Sequence, residues 1–170
     1  MARVYKELPS ATELWDRFDY KPLTGELVYK VNRYTARIGE VAGSVYGNGY
    51  RVLEFMESGV RHRFNAQRVI WKWVYSEDPG TFEVDHINGE RSDNRLCNLR
   101  LATRSQNRAN KRTNPPRGYV KTKSGTFHAR IAPLGQRQTL LGNYATEAEA
   151  RAAYIKASQE LHGSFSPYSE

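Results

Sequence analysis

The chain has 170 residues, of which 39% are hydrophobic, enough to build the cores of one or two small domains. It contains no apolar run near the roughly 18 residues of a membrane-spanning helix and no signal-peptide stretch at its start. Its single cysteine, Cys97, excludes an internal disulfide framework and any zinc site built on several thiolates. We therefore expect a soluble, cytoplasmic protein with no membrane partner.

The positive charge is concentrated in one part of the chain. The formal net charge is +8, but residues 94–146 carry eleven lysines and arginines and no acidic residue. A generic solvated face would mix both signs of charge. The block is therefore better explained as a surface that binds a polyanion.

The first half of the chain predicts a small α+β region. A helix is expected at 10–18, with Ser10 as its cap, followed by a strand at 26–30. Alternating residues at 50–55 and 60–64 predict a hairpin. The next helix begins after Asn65, which we expect to cap it, and its apolar residues have the 3.6-residue spacing of a core-facing helix: Ala66, Val69, Ile70, Trp73 and Val74.

The paired prolines in 113–117 predict a linker between two regions. Beyond it the pattern predicts three short strands, at 118–121, 126–131 and 138–141, separated by turns at 123–125 and 133–135. A final helix opens at Thr146, with Glu149 in the capping-box position. Its narrow apolar stripe could pack on a three-stranded sheet and comprises Ala150, Ala153, Tyr154, Ala157 and Leu161.

The stretch between these regions carries the residues best suited to chemistry. Asp85 could bind Mg²⁺ through a carboxylate oxygen, with an asparagine amide as a second ligand. His86 has an ordinary pKa near 6.5, which suits a general base. These residues end a predicted strand, Asn88-Gly89 predicts a turn, and 103–111 predicts a helix. That helix places three arginines on one stripe: Arg104, Arg108 and Arg112.

The same segment resembles the HNH nuclease motif, the ββα-metal fold, as found in phage and intron homing endonucleases. The matching pieces are Asp85-His86, Asn88-Gly89, Asp93-Asn94-Arg95, Asn98-Leu99-Arg100 and Asn107. The resemblance implies that Asp85 and Asn107 bind the metal, that His86 is the general base and that Asn98 braces the loop carrying His86. Gln67 stands where the family usually has histidine.

The C-terminal half resembles the AP2 DNA-binding domain of plant transcription factors and phage HNH proteins. The matching pieces are RGYV at 117–120, FHARI at 127–131, LGNY at 141–144, TEAEA at 146–150, AAY at 152–154 and HGSF at 162–165. Ile155 stands where the family usually has aspartate. The resemblance implies that a three-stranded sheet enters the DNA major groove.

Together the resemblances imply an α+β protein of four parts. These are an N-terminal extension at 1–80, the HNH motif at 81–112, the linker at 113–117 and an AP2-like domain at 118–170. In that domain an antiparallel sheet packs on one helix. The DNA-contact candidates are Arg100, Arg104, Arg108, Lys111, Arg112, Arg117, Lys121, Lys123, Arg130 and Arg137.

The predicted function is a homing-endonuclease-like enzyme that hydrolyses phosphodiester bonds of double-stranded DNA. It would use one Mg²⁺ or Mn²⁺ per active site and no small-molecule cofactor, and would nick or cut both strands as a monomer or homodimer. If phage-encoded, it would act in the host cytoplasm. A DNA-binding regulatory protein that does not cleave is the alternative, and an RNA-binding or structural factor is a third.

Overall fold

A computed structural model describes residues 5–32, 36–110, 117–132 and 136–169. The chain divides into two compact units, residues 1–103 and residues 104–170. Each unit is built from short helices and small antiparallel sheets, as the sequence predicted. Within the described ranges, no helix is long and apolar enough to cross a membrane.

The described residues of the first unit form two α-helices, seven strands and a 3-10 turn at Leu96–Asn98. In chain order, the helices and strands are α1 (Ala11–Arg17), β1 (Phe18–Lys21), β2 (Glu26–Tyr29), β3 (Ser44–Val45), β4 (Arg51–Glu57), β5 (Val60–Asn65), α2 (Ala66–Tyr75), β6 (Glu83–His86) and β7 (Leu99–Ala102). They form the β1–β2 hairpin, the three-stranded sheet β3-β4-β5 and the β6–β7 hairpin.

The core of this unit forms where α1 and α2 contact the strands. Leu14 of α1 and Val69 of α2 are fully buried, and Leu53 and Phe55 point inward from alternate positions of β4. Val84 of β6 and Leu99 of β7 join the same core. The hairpin that carries the predicted chemistry is therefore anchored by apolar packing on both of its strands.

Most of the elements predicted in this half are confirmed. Ser10 caps α1 by accepting a hydrogen bond from the Glu13 amide, and β4 and β5 form the predicted hairpin. Two details differ. The helix α1 ends at Arg17, so Phe18 begins the strand β1. Asn65 stands at the N-cap of α2 as predicted, but its side chain makes no capping hydrogen bond.

The second unit contains α3 (Arg104–Ala109), β8 (Tyr119–Lys121), β9 (Phe127–Ile131), β10 (Thr139–Tyr144), α4 (Glu147–His162) and a final 3-10 turn at Gly163–Phe165. The antiparallel order is β10-β9-β8, and α4 packs on this sheet. Thr146 and Glu149 form the predicted capping box.

In this unit the backbone of Gly118 packs directly against the Tyr154 ring. Gly118 has a φ of +78°, and a Cβ added there would lie 2.0 Å from the Tyr154 ring, so this backbone must touch the ring. Only glycine fits such a position without displacing the aromatic side chain.

The apolar stripe predicted for α4 was wrong at one residue, Leu161. Leu161 is 42% exposed, whereas Ser158 is buried at 1% exposure. Ser158 lies one turn beyond Tyr154, and its hydroxyl is 3.0 Å from the Ser166 hydroxyl. The hydrogen bond explains why a polar residue takes the inner position.

Several predictions made for the middle of the chain fall wholly or partly outside the described residues. These are the linker at 113–117 apart from Arg117, the turn at 133–135, and the two basic residues Lys111 and Arg112. The boundaries drawn around the linker therefore stay predictions.

Candidate active site

The β6–β7 hairpin places the predicted acid and histidine side by side in the first unit. Asp85 pairs with Arg100 across the two strands, and His86 pairs with Leu99. Asp85 is 5% exposed and His86 is 4% exposed. Polar side chains this deeply buried need partners within the fold, and the neighbouring residues supply them.

Arg100 forms an ion pair with Asp85. The Nε and Nη2 atoms of Arg100 both lie 2.9 Å from Oδ2 of Asp85. The pair requires an ionised carboxylate, which is the form that binds a metal ion. Arg100 was also predicted to contact DNA, and its guanidinium lies against the predicted metal ligand.

A hydrogen bond to Asn94 fixes the orientation of the His86 ring. The Nε2 atom lies 2.9 Å from Oδ1 of Asn94, while Nδ2 of Asn94 points to the carbonyl oxygen of Ser92 at 3.5 Å. An amide oxygen only accepts hydrogen bonds, so Nε2 carries the proton and Nδ1 carries the basic lone pair.

The surroundings of His86 also favour its neutral form. Burial lowers the pKa of His86 below its ordinary value, an effect that the hydrogen bond to Asn94 and the charge of Asp85 partly offset. Loss of water around the ring disfavours the imidazolium ion. The ring is therefore neutral at physiological pH, as a general base must be.

Asn98 links the two ends of the loop between β6 and β7. Its Oδ1 accepts a hydrogen bond from the Asn88 amide at 2.9 Å, and its Nδ2 donates to the Asp93 carbonyl at 2.8 Å. Its own carbonyl accepts from the Ile87 amide at 2.8 Å. This geometry supports the bracing role predicted for Asn98.

A second set of contacts supports the loop from the β1–β2 hairpin. The Tyr20 hydroxyl donates to the Asn94 carbonyl at 3.1 Å and accepts from the Leu96 amide at 2.8 Å. Gly25, with a φ of +75°, lies so close that an added Cβ would be 2.3 Å from the Arg95 nitrogen. The backbone of Asn94, the partner of His86, is thus held in place.

These supporting residues were missed in the sequence. Tyr20 and Gly25 lie about seventy positions before Asn94, and no local pattern connects them. The sequence around Gly25 does not show which backbone this glycine touches. Asn94 itself was matched to the motif without a role.

Asp93 forms a charged anchor within the loop. Its carboxylate accepts from Nε and Nη2 of Arg95, each at 2.7 Å, and from the Asn88 side chain at 2.9 Å. These hydrogen bonds, chiefly those from Arg95, lower the pKa of Asp93 to about 2. The loop therefore holds a permanently ionised acid at neutral pH.

Comparison with known proteins finds a family match around the β6–β7 hairpin. The sequence profile of a family described as HNH endonuclease matches residues 64–109, which span α2, the β6–β7 hairpin and α3. This segment is therefore similar to HNH endonucleases. The match covers the residues just described around Asp85 and His86.

A relative supports the same assignment over a longer part of the chain. An uncharacterized HNH endonuclease of Acanthamoeba polyphaga mimivirus is 31% identical over 119 residues, covering 69% of this chain. The aligned part spans 61% of the length of that relative. No solved structure matches the chain with significant similarity.

The residues of the HNH segment fit a magnesium-type ion. Among the described residues, no three histidines, cysteines or acids cluster as they would around zinc or calcium. Mg²⁺ needs only one or two hard oxygen ligands from the protein, because waters and substrate phosphates complete its shell. Asp85 is a carboxylate of this kind, and its Oδ2 also accepts from Arg100. The amide oxygens of Asn94 and Asn98 accept hydrogen bonds within the fold.

The other predicted ligand lies in the second unit. Asn107 is on α3, where its side chain is half-buried.

The second unit also contains most of the predicted DNA contacts. Those that the structure describes all have exposed side chains, and they are Arg104, Arg108, Arg117, Lys121, Lys123, Arg130 and Arg137. Their exposure leaves them accessible to a phosphate backbone.

Proposed function

We propose that this protein is a metal-dependent HNH endonuclease that hydrolyses phosphodiester bonds of double-stranded DNA. The observation that carries the proposal is the fixed, neutral His86 beside the ionised Asp85, within the segment that matches the HNH endonuclease family.

In this reaction His86 acts as the general base. Its Nδ1 takes a proton from the attacking water, while Asn94 keeps Nε2 protonated and prevents the ring from turning. Asp85 would hold Mg²⁺ or Mn²⁺ through a carboxylate oxygen. The bound ion would supply stabilisation of the charge that develops on the phosphate. Asn98 and Tyr20 keep the loop in the geometry that the base requires.

The second unit would bind the DNA and choose the cleavage site. We base this on its AP2-like sequence pieces, its three-stranded sheet packed on α4, and its excess of exposed basic side chains. Such side chains contact phosphates at any sequence, whereas specificity requires contacts to base edges. The homing type of the enzyme is part of this proposal.

A plasmid assay tests the catalytic assignment. Supercoiled plasmid is incubated with the protein and Mg²⁺, and the nicked and linear products are measured over time. We expect His86→Ala to lower the rate by about 10²–10⁴-fold, the usual contribution of a general base. His62→Ala serves as the control, since His62 lies on β5 and contacts Lys6 and Glu57 instead. Relaxation by His86→Ala at the wild-type rate would contradict the assignment.

A DNA-binding protein without nuclease activity is the second candidate. The acid-free block at 94–146 favours it, because binding alone would explain that charge. Retarded migration of plasmid fragments without any cleavage in Mg²⁺ or Mn²⁺ would select this candidate over the endonuclease.

A further inference from the structure

Arg91 lies on an aromatic ring that also touches His86. Its guanidinium carbon is 5.0 Å from the centre of the Tyr50 ring. The Tyr50 ring is in turn 5.9 Å from the His86 ring, centre to centre. Tyr50 therefore connects the candidate base to an arginine on the loop between β6 and β7.

The turn at residues 46–50 holds Arg91 in this position. Nη1 of Arg91 donates a hydrogen bond to the Asn48 carbonyl at 2.8 Å. The arginine side chain runs over Gly49, where an added Cβ would lie 3.6 Å from its Cβ and 3.7 Å from its Cδ. The turn is closed by the Gly49 amide, which donates to the Tyr46 carbonyl at 2.8 Å. Arg91 is thus oriented although it is exposed.

The charge of Arg91 is not compensated. Among the residues that the structure describes, its contacts are the Asn48 carbonyl and the Tyr50 ring, and it forms no ion pair. A guanidinium has five N–H groups, so most of them remain available to a ligand. Arg95, four residues later on the same loop, differs because Asp93 neutralises it.

We propose that Arg91 is a DNA phosphate contact of the first unit, held beside the active site by Tyr50. An exposed, oriented and uncompensated guanidinium suits a phosphate oxygen, which can accept two of its N–H groups. Stacking on Tyr50 lowers the conformational entropy lost when the contact forms. The proposal rests on the proposed function, since it places this phosphate next to the bond that His86 acts on.

The test measures DNA binding without cleavage. A fluorescent DNA duplex is titrated with the full chain in EDTA at several KCl concentrations, and log K is plotted against log[KCl]. We expect Arg91→Gln to weaken binding about three- to tenfold at low salt and to reduce the slope by about 1. Arg91→Lys keeps the charge and should restore most of the slope.

Arg95→Gln is the matched control, because it removes the same charge from the same loop. It should leave the slope close to that of the wild type, since Asp93 already neutralises Arg95. Equal slopes for Arg91→Gln and Arg95→Gln would overturn the proposal, and so would a wild-type chain that does not bind the duplex. Thermal unfolding of each variant checks that the exposed substitutions leave the fold intact.

The outcome is independent of nuclease activity. If the protein binds DNA but does not cleave it in Mg²⁺, and Arg91→Gln still lowers the salt slope, the endonuclease proposal is refuted and the Arg91 phosphate contact holds. If the protein cleaves DNA but Arg91→Gln and Arg95→Gln give the same salt slope in the binding titration, the endonuclease proposal holds and the Arg91 phosphate contact is refuted.

Discussion

The β6–β7 hairpin and the C-terminal sheet use polar residues in opposite ways. In the hairpin region four polar side chains are buried with partners inside the fold: Asn94 is 1% exposed, and Asp85, His86 and Asn98 are all at 6% or less. On the sheet and its flanks the charges are exposed, as at Lys121 and Arg130. Buried polar groups keep a fixed geometry, whereas exposed charges stay free to meet a polyanion.

This contrast fits a division between chemistry and binding. A general base works only when its tautomer and position are fixed in advance, which requires partners inside the fold. A phosphate contact needs little more than an accessible positive charge. Substitutions of the buried hairpin residues should therefore change the rate of cleavage, and substitutions of the exposed basic residues should change affinity.

After His86 itself, the largest effect is expected at Asn94. Replacing it by alanine removes the acceptor that keeps Nε2 of His86 protonated, so both tautomers would form. Cleavage should fall about 10–100-fold, as is usual for partners that orient a functional histidine. DNA affinity should stay unchanged.

Two variants control this prediction. Asn94→Asp keeps an acceptor for Nε2 and should retain more activity than Asn94→Ala. Asn32→Ala removes an exposed side-chain amide, whose oxygen accepts a hydrogen bond from the Ile38 backbone N–H. This variant should cleave DNA at the wild-type rate. Wild-type cleavage by Asn94→Ala would show that the hydrogen bond does not orient the base.

A smaller effect is expected at Tyr20. Tyr20→Phe keeps the ring but removes the hydroxyl that bridges Asn94 and Leu96. The loss should lower the free energy of unfolding by about 1–2 kcal/mol, because a buried carbonyl and amide lose their partner. Tyr46→Phe, which loses only a 3.5 Å contact to Glu54, should change it by less than about 0.5 kcal/mol. Urea titrations of both variants give the comparison.

The smallest effect is expected at Asp93 and depends on pH. The pKa of Asp93 in the fold, about 2, lies below its ordinary 3.8. The ionised carboxylate therefore stabilises the fold above about pH 4, and this contribution is lost as the pH falls from 3.8 toward 2. Asp93→Asn should cost about 1 kcal/mol at neutral pH, since the paired Arg95 is half-exposed.

Unfolding of both proteins by urea between pH 2 and pH 7 tests the Asp93 prediction. The difference in unfolding free energy between wild type and Asp93→Asn should shrink toward zero at the acid end. A difference that stays constant across the range would show that the ion pair with Arg95 is not its source.

Local signals in the sequence predicted much of the fold. Alternation predicted the hairpin of β4 and β5, and the Ser10 and Thr146 caps predicted where α1 and α4 begin. These features depend on neighbouring residues, so a single sequence contains them. Ser158 was missed because its buried position depends on Ser166, which lies outside the helix.

The candidate site was predictable only in part, because many of its contacts join residues that are far apart in the sequence. The motif indicated Asp85 and His86, whose strand is confirmed, but not the contacts that set their chemistry. Arg100 reaches Asp85 through the register of two strands, and Tyr20 reaches the loop across 76 positions to Leu96. Such contacts are fixed by tertiary packing and leave no periodic pattern.

One crossed measurement tests the division between chemistry and binding most directly. On a single labelled duplex, the dissociation constant and the cleavage rate at saturating protein are measured for His86→Ala and for the double variant Lys121→Gln, Arg130→Gln. The first variant should lose cleavage by about 10²–10⁴-fold with its affinity within about twofold of the wild type. The second should bind about tenfold more weakly and cleave at nearly the wild-type rate once saturated. If both variants lowered both quantities alike, the division would be contradicted.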